Sequence, residues 1–161
     1  MTFAKGIANG MPVGATIATD EVAASLTGLS VSTFGGNPVS MAATDATLEV
    51  MEREDVPARS ERLGNILRDR LMALMDKYPF IGDVRGMGMM QGLELVEDRK
   101  TKEPATGKVN QLMELAKKEG LLIGKGGRWG NVIRMAPPML ISESDLLDGC
   151  DKLDRAFAAV R

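Results

Sequence analysis

Hydrophobic residues in the later part of the chain recur first at helical and then at extended spacing. Within residues 57–78, leucine, isoleucine and methionine recur every third or fourth position from Leu63 to Met75, as on one face of a helix. The predicted order is helix, strand, strand, helix, strand, strand, helix, over residues 57–78, 80–84, 89–95, 109–118, 121–123, 132–135 and 142–157. Ser142 is the expected N-cap of the last helix, and Gly120 ends the helix before it. This alternation predicts a compact α/β or α+β layer.

The first fifty residues contain many glycine, alanine, threonine and methionine residues around short extended patterns. The predicted elements are a buried strand, a short helix, a strand and a longer helix, over residues 12–19, 21–26, 30–36 and 38–54. Asp20 has the residue type of an N-cap for the short helix, and Asn37 followed by Pro38 opens the longer one. Gly35 and Gly36 are expected to end the second strand in a turn.

Charge divides the chain near residue 50. Lys5 is the only basic residue among the first fifty, although the whole chain has 20 Lys+Arg and 22 Asp+Glu. A stretch so poor in charge is expected to be mostly buried, whereas a charge-rich stretch is expected to have a solvated surface of its own. We therefore predict one domain segment over residues 1–50 and a small α/β domain over residues 51–161.

The composition excludes several classes of protein and of site. The 161 residues carry a net charge of −2, without the excess of Lys and Arg that is typical of nucleic-acid-binding surfaces. The absence of histidine and the single cysteine, Cys150, exclude an internal disulfide, a histidine base and the usual zinc ligands. No apolar run reaches the roughly 18 residues of a membrane helix. Neither a nucleic acid, nor a membrane, nor a metal is expected as a partner.

Two glycine-rich segments have spacings close to nucleotide-binding motifs, but neither has the required context. The segment 86–92 reads G-x-G-x-x-x-G, which is longer than the dinucleotide fingerprint and leads into a strand rather than a helix. The segment 120–125 has three residues between its glycines where a P-loop has four. Glycines that bend strands and turns explain both segments.

Lys5 and Arg134 are isolated charges in apolar surroundings. Lys5 is the only charged residue among the first nineteen, and glycines follow it closely. A desolvated amine in such a loop is suited to form an imine with an aldehyde, although most lysines in loops are surface residues. Arg134 lies between two apolar residues of a predicted strand, where it forms either an ordinary ion pair or a bidentate site for a small carboxylate.

Four segments together resemble the class-III aminotransferases, which belong to fold type I of the pyridoxal-phosphate enzymes. They are AKGIANGMPVGA at 4–15, STFGGNP at 32–38, GDVRGMGMMQG at 82–92 and IRMAPP at 133–138. The likeness extends over the whole chain and is greatest to alanine–glyoxylate and β-amino-acid:pyruvate aminotransferases. It implies an α/β fold in which residues 1–50 end the large cofactor-binding domain, with a connecting helix, and residues 51–161 form the small C-terminal domain.

The resemblance also implies a function and a role for each matching residue. The reaction would move an amino group between an amino acid, including ω- and β-amino acids, and a 2-oxo acid such as pyruvate or glyoxylate, with pyridoxal 5′-phosphate as cofactor. Lys5 matches the lysine that forms the internal aldimine and moves the substrate proton. Ser32 and Thr33 match the segment that binds the cofactor phosphate, and Thr33 would bind that of the other subunit of a homodimer. Arg134 matches the arginine that binds the substrate carboxylate.

Other family features are expected upstream of Lys5, where this sequence has only four residues. They are the aspartate at the pyridinium nitrogen, the aromatic residue stacked on the ring and the main phosphate loop. We therefore expect the C-terminal part of such an enzyme, inactive by itself and located in the cytoplasm, or in the mitochondrion of a eukaryote. Two alternatives stay open: a catalytically silent α/β fold or assembly domain, and a class-III enzyme of another reaction type, such as a racemase or mutase.

Overall fold

The computed structural model describes residues 1–161, which divide into two compact units, Met1–Asp55 and Val56–Arg161. The elements of the first unit are β1 (Thr2–Phe3), a 3₁₀ turn (Lys5–Ala8), β2 (Ala15–Thr16), α1 (Asp20–Ala23) and α2 (Pro38–Arg53). Those of the second unit are α3 (Val56–Lys77), β3 (Ile81–Met87), β4 (Met90–Leu95), α4 (Thr106–Lys118), β5 (Gly124–Gly126), β6 (Val132–Met135) and α5 (Glu143–Ala158). None of the helices combines the length with the apolar character that crossing a membrane requires.

The second unit is an antiparallel sheet of four strands with three helices packed on one face. The strand order is β3-β4-β6-β5. Because successive residues of a strand point to opposite faces, Val84, Leu93 and Ile133 align on the face that the helices cover. Arg85 and Arg134 align on the opposite, exposed face. The α/β fold expected from the alternating patterns is confirmed.

The core of the second unit lies between its sheet and its helices. Leu63 and Leu67 of α3 are fully buried, as their helical spacing predicts. Other members of the same buried cluster come from α4, α5 and the strands, and include Val109, Leu112, Leu146, Leu153, Leu93 and Ile133. The rings of Tyr78, Phe80 and Phe157 close one end, with centroids 5.4 to 5.8 Å apart. Each fully buried large side chain contributes about 1.5–3 kcal/mol, so this unit has a substantial core of its own.

Two predicted helix starts are confirmed by side-chain caps. Asn37 Oδ1 accepts a hydrogen bond from the Ser40 amide at 3.0 Å, and Pro38 occupies the first position of α2. Ser142 Oγ accepts from the Asp145 amide at 3.0 Å at the start of α5. These caps satisfy amide groups that have no partner within the first turn of a helix, and they depend only on residues three positions apart.

The glycine predicted to end α4 also determines the conformation of the residues that follow it. Gly120 has a φ of +76°, and the Leu121 amide donates to the Ala116 carbonyl at 2.8 Å, which is the bonding pattern of a glycine-terminated helix. The strand predicted over residues 121–123 is wrong, because this cap takes the first amide that the strand would need. The strand begins instead at Gly124, where the chain pairs with β6.

Three predicted elements of the first unit differ in the structure. The strand expected over residues 12–19 is reduced to β2, which pairs with β1 alone. Thr19, not Asp20, is the N-cap of α1, since Thr19 Oγ1 accepts from the Val22 amide at 3.4 Å. The strand expected over residues 30–36 is replaced by a turn. A strand requires neighbouring strands to bond with, and the first unit supplies a single two-stranded ladder.

The prediction that the first fifty residues are mostly buried is wrong for this structure. Ala8 and Ser40 are the only buried residues of the first unit. Large apolar side chains are highly exposed there, among them Leu29 at 97%, Phe34 at 82% and Val31 at 80%. An apolar composition predicts burial only where other elements offer a surface, and the short elements of this unit do not offer one to these side chains.

Candidate functional site

Lys5 begins a 3₁₀ turn with a left-handed backbone conformation. Its φ is +58°, and Asn9, which follows the turn, has a φ of +46°. Residues other than glycine rarely adopt this region, at a cost of about 1–3 kcal/mol, and they concentrate at functional sites. The turn packs against α2, while the Lys5 side chain is exposed and forms no ion pair within the chain.

An open cavity of about 660 Å³ lies beside Lys5 in the first unit. Its other walls are Gly10, Met11, Pro12, Val13, Gly14, Ser32, Phe34, Gly35, Gly36, Asn37, Ser40 and Met41. Ser40 Oγ donates to the Pro12 carbonyl at 3.4 Å, which joins the two wall segments. Lys5 and Ser32, both predicted as cofactor-binding residues, therefore share one cavity. Thr33 lies outside its walls and is exposed on the adjoining turn.

The turn that carries Ser32 leads directly into the N-terminus of α2. The Gly35 amide donates to the Ser32 carbonyl at 3.2 Å, and the Asn37 amide donates to the Phe34 carbonyl at 3.3 Å. Gly36 has a φ of +70°, a conformation that favours glycine. Amide groups in the first turn of a helix attract anions because they lack intrahelical acceptors. The cavity thus combines an amine, hydroxyl groups and the start of a helix. The sequence analysis assigned the amine and the Ser32 hydroxyl to the site, but not the start of α2.

Arg134 lies in the second unit, on the exposed face of the sheet. In the strand register it faces Gly92 of β4 on one side and Gly124 of β5 on the other. Its guanidinium therefore has no neighbouring side chain in its own row. The alternative of an ordinary ion pair is not observed, since Arg134 has no ion-pair partner within the chain. An exposed guanidinium without a counterion is suited to bind a planar carboxylate.

A second arginine on the same face was missed by the sequence analysis. Arg85 Nη1 lies 2.6 Å from Asp83 Oδ2 and 2.6 Å from Glu94 Oε2. Hydrogen bonds to Asp83 and then to Glu94 raise the pKa of Arg85 above its ordinary value. The signal that could have indicated this group is the alternation of charges along β3, because residues two apart share a face of a strand.

The family model described as "Aminotransferase class-III" matches residues 1–157. The chain is 47% identical, over 146 residues, to "Alanine--glyoxylate aminotransferase 2 homolog 2, mitochondrial" of Arabidopsis thaliana, covering 90% of this chain and 31% of that protein. It is 39% identical, over 161 residues, to "Leucine/methionine racemase" of Thermococcus litoralis, covering 99% of this chain and 36% of that protein. The chain thus spans about a third of the length of these relatives.

Solved structures of longer chains have the same fold as this one. A phospholyase from Arthrobacter in complex with phosphoethanolamine superposes with a TM-score of 0.92 at 31% identity, covering 99% of this chain and 38% of that one. An amine transaminase from an uncultivated Pseudomonas species, in the PLP-bound (internal aldimine) form, superposes with a TM-score of 0.89 at 31% identity, with the same coverage of 99% and 38%.

Proposed function

Because this chain belongs to the class-III aminotransferase family, we propose that it forms the C-terminal part of a pyridoxal-phosphate-dependent aminotransferase. The reaction moves an amino group between an amino acid, or an ω- or β-amino acid, and a 2-oxo acid such as pyruvate or glyoxylate. Residues 1–50 form the C-terminal end of the cofactor-binding domain together with a connecting helix, and residues 51–161 form the small domain. The observation that carries the proposal is the position of Lys5, held in a left-handed turn beside a cavity that Ser32 also lines.

The residues of the cavity fit the cofactor. Its volume of about 660 Å³ lies within the usual range for small-molecule sites, about 300–1,000 Å³. The Lys5 amine suits an aldehyde, while the hydroxyls of Ser32 and Ser40 and the start of α2 suit a phosphate. When bound, pyridoxal phosphate acts as an electron sink that stabilises negative charge at the Cα atom of an amino acid.

Lys5 has two tasks in this proposal. Its Nζ atom would hold the cofactor at its aldehyde carbon, and the free, neutral amine would accept the proton from the substrate Cα atom. The left-handed backbone, which costs about 1–3 kcal/mol, directs the side chain from a turn that α2 supports. Because the backbone of this turn is already fixed on folding, less conformational entropy is left to be lost when the amine meets its substrate.

Arg134 and Thr33 complete the assignment. The guanidinium of Arg134 binds the substrate carboxylate in bidentate fashion, and the glycines on both sides leave room for it. Thr33 is exposed and lies outside the walls of the Lys5 cavity. This position supports its assignment to the cofactor phosphate of the second subunit in a homodimer.

The experiment that tests the proposal is borohydride reduction of the complete enzyme in the presence of pyridoxal phosphate, followed by peptide mass mapping. We expect a pyridoxyl group on Lys5, and loss of both this group and turnover in Lys5→Ala. Lys100→Ala, which removes an exposed loop lysine, is the matched control and should behave like the wild type. Labelling of Lys100 or of other lysines in place of Lys5, or normal turnover by Lys5→Ala, would contradict the proposal. A silent fold or assembly domain would show no labelling.

A racemase is the second candidate, favoured by the 39% identity to "Leucine/methionine racemase". The two reactions share the cofactor lysine and differ in the fate of the amino group. Incubating one enantiomer of an amino acid with the complete enzyme separates them. An aminotransferase requires a 2-oxo acid acceptor for sustained turnover and forms a new amino acid from it, whereas a racemase forms the opposite enantiomer without an acceptor.

A further inference from the structure

The exposed face of the sheet in the second unit holds two arginines and two carboxylates. Arg85 faces Gly92 across the strands, and Gly92 also faces Arg134, so a glycine separates the two arginines within one row. In the adjacent row, Asp83 pairs with Glu94. Two carboxylates are therefore available to two arginines on this face, and how they pair decides whether Arg134 has a counterion.

Glu94 lies diagonally opposite both arginines. It is two residues along β4 from the glycine that faces Arg85 and Arg134, and diagonal positions are within reach of long side chains. The other strand residues diagonal to Arg134 are Met90 and Gly126, neither of which is charged. Glu94 is thus the only carboxylate on the strands flanking β6 that stands diagonal to Arg134.

In the structure, Glu94 pairs with Arg85 rather than with Arg134. The distance from Arg85 Nη1 to Glu94 Oε2 is 2.6 Å, and the Glu94 side chain is only 33% exposed. The same Nη1 atom also lies 2.6 Å from Asp83 Oδ2. One guanidinium therefore binds both carboxylates of this face, and Arg134 has no ion-pair partner within the chain.

We infer that Arg85 is a positioning residue for Arg134: by binding Glu94, it keeps Arg134 free for the carboxylate of a substrate. The inference rests on the proposed function, in which Arg134 binds both the amino acid and the 2-oxo acid. Glu94 and the substrate compete for one guanidinium, so the apparent affinity for substrate falls with the fraction of molecules in which Glu94 occupies Arg134. Arg85 raises this affinity without touching the substrate.

The first test uses the 161-residue chain itself and follows the side-chain ¹⁵Nε–Hε signal of Arg134, assigned with Arg134→Lys. Arg85→Gln should shift this signal, because Glu94 then pairs with Arg134. The double variant Arg85→Gln/Glu94→Gln should return it to the wild-type position. Arg155→Gln is the matched control, since the Arg155–Glu119 pair has exposures of 54% and 36%, close to the 52% and 33% of Arg85 and Glu94.

The second test measures steady-state kinetics of the complete enzyme. Arg85→Gln should raise KM for the amino acid and for the 2-oxo acid together, roughly three- to fivefold, as expected for the loss of a partly exposed ion pair. The kcat value and the KM for an amine donor that lacks a carboxylate should change little. Glu94→Gln added to Arg85→Gln should restore both KM values, which a merely structural role of Arg85 does not predict.

The outcomes separate this inference from the proposed function. If Arg134→Gln raises both KM values but the double variant stays as impaired as Arg85→Gln, the inference fails and the proposed function stands. An unchanged KM and an unchanged Arg134 signal in Arg85→Gln overturn the inference equally. If Arg134→Gln itself leaves both KM values unaltered, the carboxylate site lies elsewhere, and both the assignment of Arg134 and the inference fail.

Discussion

At the scale of single residues, Asp154 of α5 links two side chains at the end of α3. Its carboxylate accepts hydrogen bonds from Lys77 Nζ at 2.8 and 2.9 Å and from the Tyr78 hydroxyl at 2.6 Å. The bond from Lys77, followed by the bond from Tyr78, lowers the pKa of Asp154. Burial, and then the bond to Asp154, raises the pKa of Tyr78. The ionised form of Asp154 is therefore the form that the fold stabilises.

Asp154→Asn should destabilise the chain in a pH-dependent manner. The pKa of Asp154 is lower in the folded than in the unfolded chain, so its contribution is fully present above the unfolded value of about 3.9 and is lost as the pH falls through the folded value. At pH 7 we expect the free energy of unfolding to fall by about 1 kcal/mol, because the group is partly exposed. Urea unfolding at several pH values measures this difference, which should shrink toward pH 3.

The control for this prediction is Asp148→Asn on the same helix. Asp148 is 58% exposed and pairs with Lys152 one turn away, so its loss should change stability by less than about 0.5 kcal/mol. A loss of stability in Asp154→Asn that is equally large at pH 7 and pH 3 would show that packing, rather than the ionised carboxylate, is responsible.

At the scale of elements, the first half of α3 supports two loops of the second unit. Ser60 Oγ accepts a hydrogen bond from the Met89 amide at 3.3 Å, at the turn between β3 and β4. The guanidinium of Arg59 donates to the carbonyls of Met139, Leu140 and Ile141, in the segment between β6 and α5. The helix therefore holds the chain on both sides of the strands that carry the two exposed arginines.

Gly64→Ala should destabilise the second unit, although alanine is the better helix former by about 1 kcal/mol. A Cβ atom at Gly64 would lie 2.3 Å from the backbone carbonyl of Gly88, which the hairpin turn cannot easily move. We expect a net loss of roughly 1–3 kcal/mol, the usual cost of overpacking, measured by thermal or urea unfolding.

The matched control is Gly149→Ala in α5, where a Cβ atom meets only the Leu121 side chain at 3.8 Å. This substitution should stabilise the chain, because propensity acts there without a clash. Stabilisation by both substitutions would mean that α3 does not pack against the hairpin turn as the structure has it.

At the scale of the whole molecule, the two units differ in how much they bury. The second unit contains a continuous core drawn from all its helices, whereas Ala8 and Ser40 are the only buried residues of the first. Backbone hydrogen bonds that are exposed to water, with few apolar contacts around them, open at low free-energy cost. Stability is therefore expected to be unequal along the chain.

Hydrogen exchange of the 161-residue chain should reveal this inequality. Amides of residues 1–30 should exchange fast, since their ladder consists of two short strands and their turns are exposed. Amides around Leu153 and Phe157 of α5 should be the most protected, because both side chains are fully buried. Peptide-level mass spectrometry measures both regions in one sample. Equal protection of the two regions would show that the first unit has a stable core.

Several features followed from the sequence alone because they depend on residues close together in the chain. The buried face of α3 follows from its helical spacing, and the caps by Asn37 and Ser142 follow from side chains that reach an amide three residues later. The four matching segments were likewise sufficient to indicate the family, which the match over residues 1–157 confirms. The roles of Lys5 and Arg134 stay predictions.

Other features were decided by the tertiary structure because they depend on residues far apart in the chain. Composition predicted burial of the first fifty residues, but burial depends on the surfaces that other elements provide, and most of these residues are exposed. The left-handed conformation of Lys5 occurs in a turn that packs against α2, an element far from it in the sequence. The unpaired state of Arg134 depends on the register of β3, β4 and β6, which places Glu94 diagonal to both arginines. Spacing along a strand shows which residues share a face, and only the pairing of strands determines which charges meet.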